Sequence, residues 1–180
     1  IFKVKADFDF EIEKSKEKEG GEEKWKVHED GRYKVSFAYP GSWTMKQYQT
    51  GTLGFLDPNT DVDVEFEVKK NFDQESLQDY LKEHIATFES HARLKVQEAG
   101  LDERSPKVGL LDEKGITVSG TEGRILIMRL FYQGEYWMHV HLCMLTSRNV
   151  FLLRCITPDR LYGQYEDTFD RILRSFVMKE

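Results

Sequence analysis

The chain has 180 residues, 39% hydrophobic, 32% charged and 13% aromatic, with 26 Lys+Arg against 32 Asp+Glu and a net charge of −6. That length and composition suit one globular domain or a domain with an added arm, and so many aromatics exclude a disordered chain. An acidic chain without a dense basic run is excluded as a nucleic-acid binder, no apolar run approaches the roughly 20 residues of a membrane span, and two cysteines, Cys143 and Cys155, are too few for a disulfide scaffold or a thiolate zinc site.

Residues 1–12 alternate, with Phe2, Val4, Ala6, Phe8, Phe10 and Ile12 on one face and Lys3, Lys5, Asp7, Asp9 and Glu11 on the other. Period-2 alternation is the signature of a half-buried strand. A charged run from Lys14 to Lys24, broken by Gly20-Gly21, reads as a solvated linker. Residues 1–24 are therefore an N-terminal strand with its linker, and residues 25–180 are the domain proper.

Within that domain, Glu29-Asp30-Gly31 reads as a turn and Arg32 to Tyr39 as a strand stopped by Pro40-Gly41. Short strands are expected at Trp43–Tyr48 and Thr52–Leu56. Asp57-Pro58-Asn59 is a turn, and Asp61 to Lys69 alternates with Val62, Val64, Phe66 and Val68 inside. A helix follows, with Asp73 as its expected N-cap and an apolar stripe of Leu77, Tyr80, Leu81, Ile85 and Phe88. Leu94, Val96 and Ala99 suggest a short strand, and Asp112–Gly115 a turn. Glu122–Tyr132, Glu135–Thr146 and Asn149–Thr157 form a meander of three apolar strands, with turns at Gln133-Gly134 and Ser147-Arg148. The middle strand is apolar on both faces and needs cover on both sides. Thr157 as N-cap and Pro158 at the first helical position open a closing helix with a stripe of Leu161, Tyr165, Phe169, Ile172 and Leu173. The fold class is α+β, an antiparallel β-sheet flanked by helices.

His139 and His141 carry the sharpest chemical signal. Two apart on a strand, they share a face about 7 Å apart and can hold a divalent metal if a third ligand converges. No third ligand stands at useful spacing, so the leading expectation is a pair of partly buried core histidines, with the metal as the alternative. His28, His84 and His91 lie on polar stretches with no Ser or Cys partner. The stretch from Asp57 resembles the front of a calcium loop, but Val62 stands where the sharp turn needs Gly and Val68 where the twelfth position needs Glu. A turn running into a strand explains it better. The acidic row Asp61, Asp63, Glu65 and Glu67 is then either a solvated strand face or a docking surface for a basic partner. No phosphate-cradling loop, dinucleotide fingerprint or nucleophile elbow is present.

The stretch Tyr33-Lys34-Val35-Ser36-Phe37-Ala38-Tyr39-Pro40-Gly41-Ser42-Trp43 resembles the opening of PsbP-family domains. The strand Val62–Val68 after Asp57-Pro58, the helix from Asp73, and the closing meander followed by Thr157-Pro158-Asp159 and Ile172-Leu173-Arg174-Ser175-Phe176 are similar to that family too. The resemblance covers about residues 30–178, through short and degenerate motifs. It implies an α/β/α sandwich. It also implies membership of a mostly non-enzymatic group: extrinsic lumenal subunits of photosystem II linked to calcium and chloride retention at the oxygen-evolving complex, other lumenal assembly factors, bacterial lipoproteins, and a Ran-binding import factor. The strand at residues 1–12 and its linker depart from the family.

The expected function is a non-catalytic extrinsic subunit or assembly factor docked peripherally on a photosynthetic membrane complex in the thylakoid lumen. Its expected contacts are Lys3 and Lys5 in the arm and Asp61, Asp63, Glu65 and Glu67 on the strand, with no nucleic acid and no membrane insertion. The alternatives are a cytosolic or nuclear GTPase-binding regulator of the same fold, and a metal- or small-ligand enzyme using His139 and His141.

Overall fold

The computed structural model describes residues 24–73, 75–101 and 106–179. The arm, with Lys3 and Lys5, lies outside the described residues. The elements run β1 (Trp25–Asp30), β2 (Val35–Pro40), β3 (Thr44–Gln47), β4 (Leu53–Leu56), β5 (Asp63–Lys70), α1 (Leu77–Glu98), β6 (Gly109–Val118), β7 (Thr121–Tyr132), β8 (Glu135–Leu145), β9 (Asn149–Pro158), α2 (Asp159–Arg174) and β10 (Val177–Met178). A seven-stranded sheet has the order β3-β4-β5-β9-β8-β7-β6, and a three-stranded sheet has the order β1-β2-β10. All pairings are antiparallel.

Turn chemistry sets the registers. Asp30 Oδ1 accepts from the backbone N–H of Arg32 (2.9 Å) and of Tyr33 (3.1 Å), folding the β1–β2 connection. Gln133 and Gly134 have φ of 51° and 87°, the two positive values of the hairpin turn whose twist suits flanking strands. Ser119 and Gly120 repeat the device at 48° and 78°, joining β6 to β7.

The large sheet buries both faces. One carries Val64, Phe66, Val140, Leu142, Met144, Phe151, Leu153 and Cys155, which pack against Phe169, Ile172 and Leu173 of α2 and Val35 and Phe37 of β2. The other carries Leu126, Met128, Cys143, Leu145, Val150 and Leu152 beneath Leu77, Leu81, Ile85 and Phe88 of α1. The apolar stripes expected of both helices are the ones that pack. Cover on the α2 side comes from a second small sheet as well as a helix.

Several local readings are corrected. Helix α1 starts three residues later than expected, because Ser76 supplies the cap: its Oγ accepts from Asp79 N at 3.1 Å and donates to Asp79 Oδ2 at 2.6 Å. Residues 94–98 continue α1 and form no strand, since Ala92 is fully buried one turn before Val96 and the helical spacing holds. Asp112–Gly115 lies within β6, where the register shifts between Leu110 and Asp112, so a strand irregularity produced the turn-like composition. Thr157 is a fully buried strand residue paired with Met138, and α2 begins after Pro158 without a side-chain cap.

Candidate functional site

Strand parity puts Glu65, Arg154 and His141 on the α1 side of the large sheet, while Arg129 and Thr157 face α2. Glu65 of β5 lies opposite Arg154 of β9, and Arg154 lies opposite His141 of β8. Arg154 is the only charged residue in β9, and its Nη2 reaches Glu65 Oε2 and Glu67 Oε2, both at 3.0 Å. Helix α1 lies against β6, β7 and β8, so the flank formed by β5 and β4 extends past it as a polar shelf. Tyr48 lies over Gly54 there, and its hydroxyl donates to Asp63 Oδ2 at 3.4 Å.

Three of the four acidic residues expected as a docking row belong to this shelf. Asp63, Glu65 and Glu67 are half-buried, whereas Asp61 sits in the preceding loop, exposed. Burial, and next the neighbouring Glu65 charge, push the Asp63 carboxyl up to about 6, against hydrogen bonding from Tyr48 and the attraction of Arg154. The shelf therefore carries more carboxylate than guanidinium at neutral pH.

Behind it, under α1, three imidazoles meet. His84 Nε2 and His141 Nδ1 share a hydrogen bond of 3.0 Å, and the His139 and His141 ring centroids are 5.7 Å apart. Tyr80 stacks on His84 and the edge of Phe88 meets His139. Burial, with help from Arg154, pulls His84 and His139 down to about 4, and burial plus the two neighbouring histidines pull His141 further. All three rings are neutral at physiological pH. Nε2 of His141 and Nε of Arg154 are buried and make no hydrogen bond. Cys143 belongs to the same apolar layer, and burial pushes its thiol up to about 12, so it is no thiolate. Among the described residues no group of three or more His, Cys, Asp or Glu side chains is placed to hold a metal ion.

The sequence reading placed His139 and His141 on one face, as observed, but put His84 on a polar stretch and did not join it to them. His84 stands four residues from both Tyr80 and Phe88, so helical spacing puts it in the buried stripe. Arg154 was also missed. A lone charge within an apolar strand was its signal.

A second concave region lies beside the middle of α2. A polar cleft of about 380 Å³ is lined by Trp43, Asp57, Asn59, Gln164, Tyr165 and Thr168, among others. Tyr165 donates to Asp57 Oδ2, and Asn59 N donates to Asp57 Oδ1 at 2.9 Å. Burial opposes ionisation of Asp57, but these hydrogen bonds outweigh it and keep the carboxyl below its ordinary value. The stretch compared with a calcium loop is thus a turn organised by the Asp57 side chain.

No family model and no curated protein matches the sequence. Solved structures do match. The solution structure of cyanobacterial PsbP (CyanoP) from Synechocystis sp. PCC 6803 is 13% identical, with 92% of this chain and 98% of that one covered, at a TM-score of 0.62. The fold is PsbP-like. LpqN of Mycobacterium tuberculosis, involved in cell envelope biogenesis, is 12% identical over 87% of this chain and 91% of its own, at a TM-score of 0.59. A Bacteroides thetaiotaomicron structure aligns at 11% identity and a TM-score of 0.53, over 86% of this chain but 48% of that protein. Identities this low establish a shared fold, and one fold hosts many functions. Among the described residues no helix is long and apolar enough to cross a membrane.

Proposed function

We propose that this protein is a non-catalytic extrinsic subunit or assembly factor that docks on a larger membrane protein complex, of the photosystem II kind on its lumenal side, and that the β5 shelf receives a basic segment of that complex. One observation carries the reading: Asp63, Glu65 and Glu67 stand in a row on β5, half-buried beside α1, with Arg154 bridging only the last two. Like charges held in a row repel, and a cationic partner relieves that repulsion while steering encounter. The likeness to CyanoP along almost the whole chain supports a docking role. The neutral histidines and the protonated thiol beneath α1 supply no activated nucleophile, in keeping with a binding function.

The test is affinity capture of the tagged chain from its native cells, with mass spectrometry of the recovered proteins, beside a D63N/E65Q/E67Q variant. Photosystem subunits recovered by the natural chain and lost from the variant are the expected result. Recovery of a small GTPase would move the protein to the regulator class. Recovery of the same complex by both chains would remove the shelf from the interface.

A further inference from the structure

We propose that the end of the molecule carrying Phe72 is a docking tip for an anionic lipid bilayer. Phe72 follows β5 and is 86% exposed, the most exposed large hydrophobic side chain among the described residues. The segment that presents it is firmly built. Asn71, only 8% exposed, accepts from Glu75 N at 3.0 Å through Oδ1 and donates to Thr146 O at 3.1 Å and Glu75 O at 3.3 Å through Nδ2. Its backbone N–H donates to Arg148 O at 2.9 Å. The β5–α1 and β8–β9 connections are thereby tied together, and an apolar ring is held in water where nothing in the fold requires it.

Cations stand on the turns nearest Phe72. Lys69 and Lys70 end β5, Arg148 sits in the tied turn, and Arg32 and Lys34 come from the β1–β2 turn; all five are exposed. The Tyr33 ring joins the third turn to the other two. It packs on Phe151 at 6.3 Å, with the Arg32 guanidinium 5.3 Å and the Lys70 ammonium 5.9 Å from its centroid. The nearby acids are Asp73, which is exposed, Glu75, partly exposed in the tied connection, Glu67, which contacts Lys69 at 3.5 Å, and Asp30, engaged in capping its turn. A chain of net charge −6 thus gathers a basic cluster in space that no single stretch of sequence shows.

An exposed aromatic beside turns that carry Lys and Arg matches the headgroup region of a bilayer, where the ring enters the acyl boundary while the basic heads stay with the phosphates. The middle of a protein–protein interface differs, being depleted in Lys and built from contiguous apolar contacts. Strand β5 also changes sign along its length, from Asp63, Glu65 and Glu67 to Lys69 and Lys70. A bilayer gripping the basic end turns the acidic shelf away from the lipid surface. The proposal stands independently of what the shelf binds.

Sedimentation of the full chain with phosphatidylcholine vesicles, and with vesicles of phosphatidylcholine and phosphatidylglycerol in equal parts, tests it. The chain is expected to pellet only with the anionic vesicles and to release in high salt. F72S should weaken binding about tenfold, and K70E/R148E by about fivefold or more per charge. K82E, on exposed α1 surface, should leave it unchanged. F72W should show a blue-shifted emission on the anionic vesicles alone. Thermal melts of the tip variants should match the natural chain, since these side chains are exposed. Equal binding to both vesicles, no binding to either, an unshifted F72W, or binding to polyglutamate without vesicle binding would each overturn the proposal, the last by assigning the tip to an acidic protein.

Discussion

The two faces of the seven-stranded sheet are built from the same strands but serve different ends. The face under α2 has an apolar centre rich in aromatics, where Phe37 meets Phe55, Phe66 and Phe176, and Phe176 meets Phe66 and Phe151; His28, Thr157 and the Arg129–Asp159 pair are its polar exceptions. The face under α1 has an apolar patch drawn from β7, β8 and β9, and beside it three histidines lead to Arg154 and the β5 carboxylates. One face spends its burial on cohesion. The other keeps ionisable groups near water, where their charge can be felt from outside.

The largest effect should come from cutting the aromatic face. Phe169 is nearly inaccessible and packs beside Tyr165 within the α2 core. Phe169→Ala should lower stability by about 3–5 kcal/mol, because the transfer energy is lost and a cavity remains. A urea titration read by tryptophan fluorescence measures this. A loss under about 1 kcal/mol would mean that the face is loosely packed and the contrast drawn here is false.

The histidine face should respond to pH instead. His84 and His139 sit at about 4 in the folded protein and His141 lies well below its ordinary value, against about 6.5 when unfolded. Between those values the unfolded chain binds more protons, so stability falls as the pH drops from about 6.5 toward 4. His139 alone accounts for on the order of 3 kcal/mol at the acid end. Asp63 acts the other way over the same window: its carboxyl is raised to about 6, so its contribution is full below about 4 and lost as the pH rises through 6. Three histidines should outweigh one aspartate, and the urea midpoint should fall on acidification. The His139 ring resonances in a proton NMR titration should stay neutral down to about pH 5; titration near 6.5 would place the ring in water.

These faces were unequally legible in the sequence. Apolar residues on both faces of Glu135–Thr146 announced a strand covered on both sides, and the stripe from Leu77 to Phe88 announced a helix lying on a sheet. Both signals arise from burial, which repeats with a local period. The helix cap was misplaced from Ser76 to Asp73 because both residues are good caps and only the observed hydrogen bond chooses. His84 meeting His141, and Arg154 meeting Glu65 and Glu67, join residues far apart in the chain through strand order, and no local period encodes strand order. The basic tip was invisible for the same reason, being assembled from three turns.

Arg154 is where the two kinds of behaviour meet, and its replacement should give the smallest but most informative change. Its guanidinium holds Glu65 and Glu67 and is partly buried with them. Arg154→Met keeps the stem's volume and removes the charge, leaving two half-buried carboxylates beside Asp63 without a cation. The loss near neutral pH should be about 1–3 kcal/mol and should shrink in high salt. The same charge also helps to pull down the three histidines and to hold Asp63 ionised. Without it each of those pKa values rises, the protonated forms are tolerated better, and acid should destabilise the variant less steeply than the natural chain. Urea midpoints of both proteins across the acid range should therefore converge as the pH falls. Parallel curves would mean that Arg154 ties the carboxylates but does not reach the histidines, and that the shelf and the buried cluster titrate as separate sites.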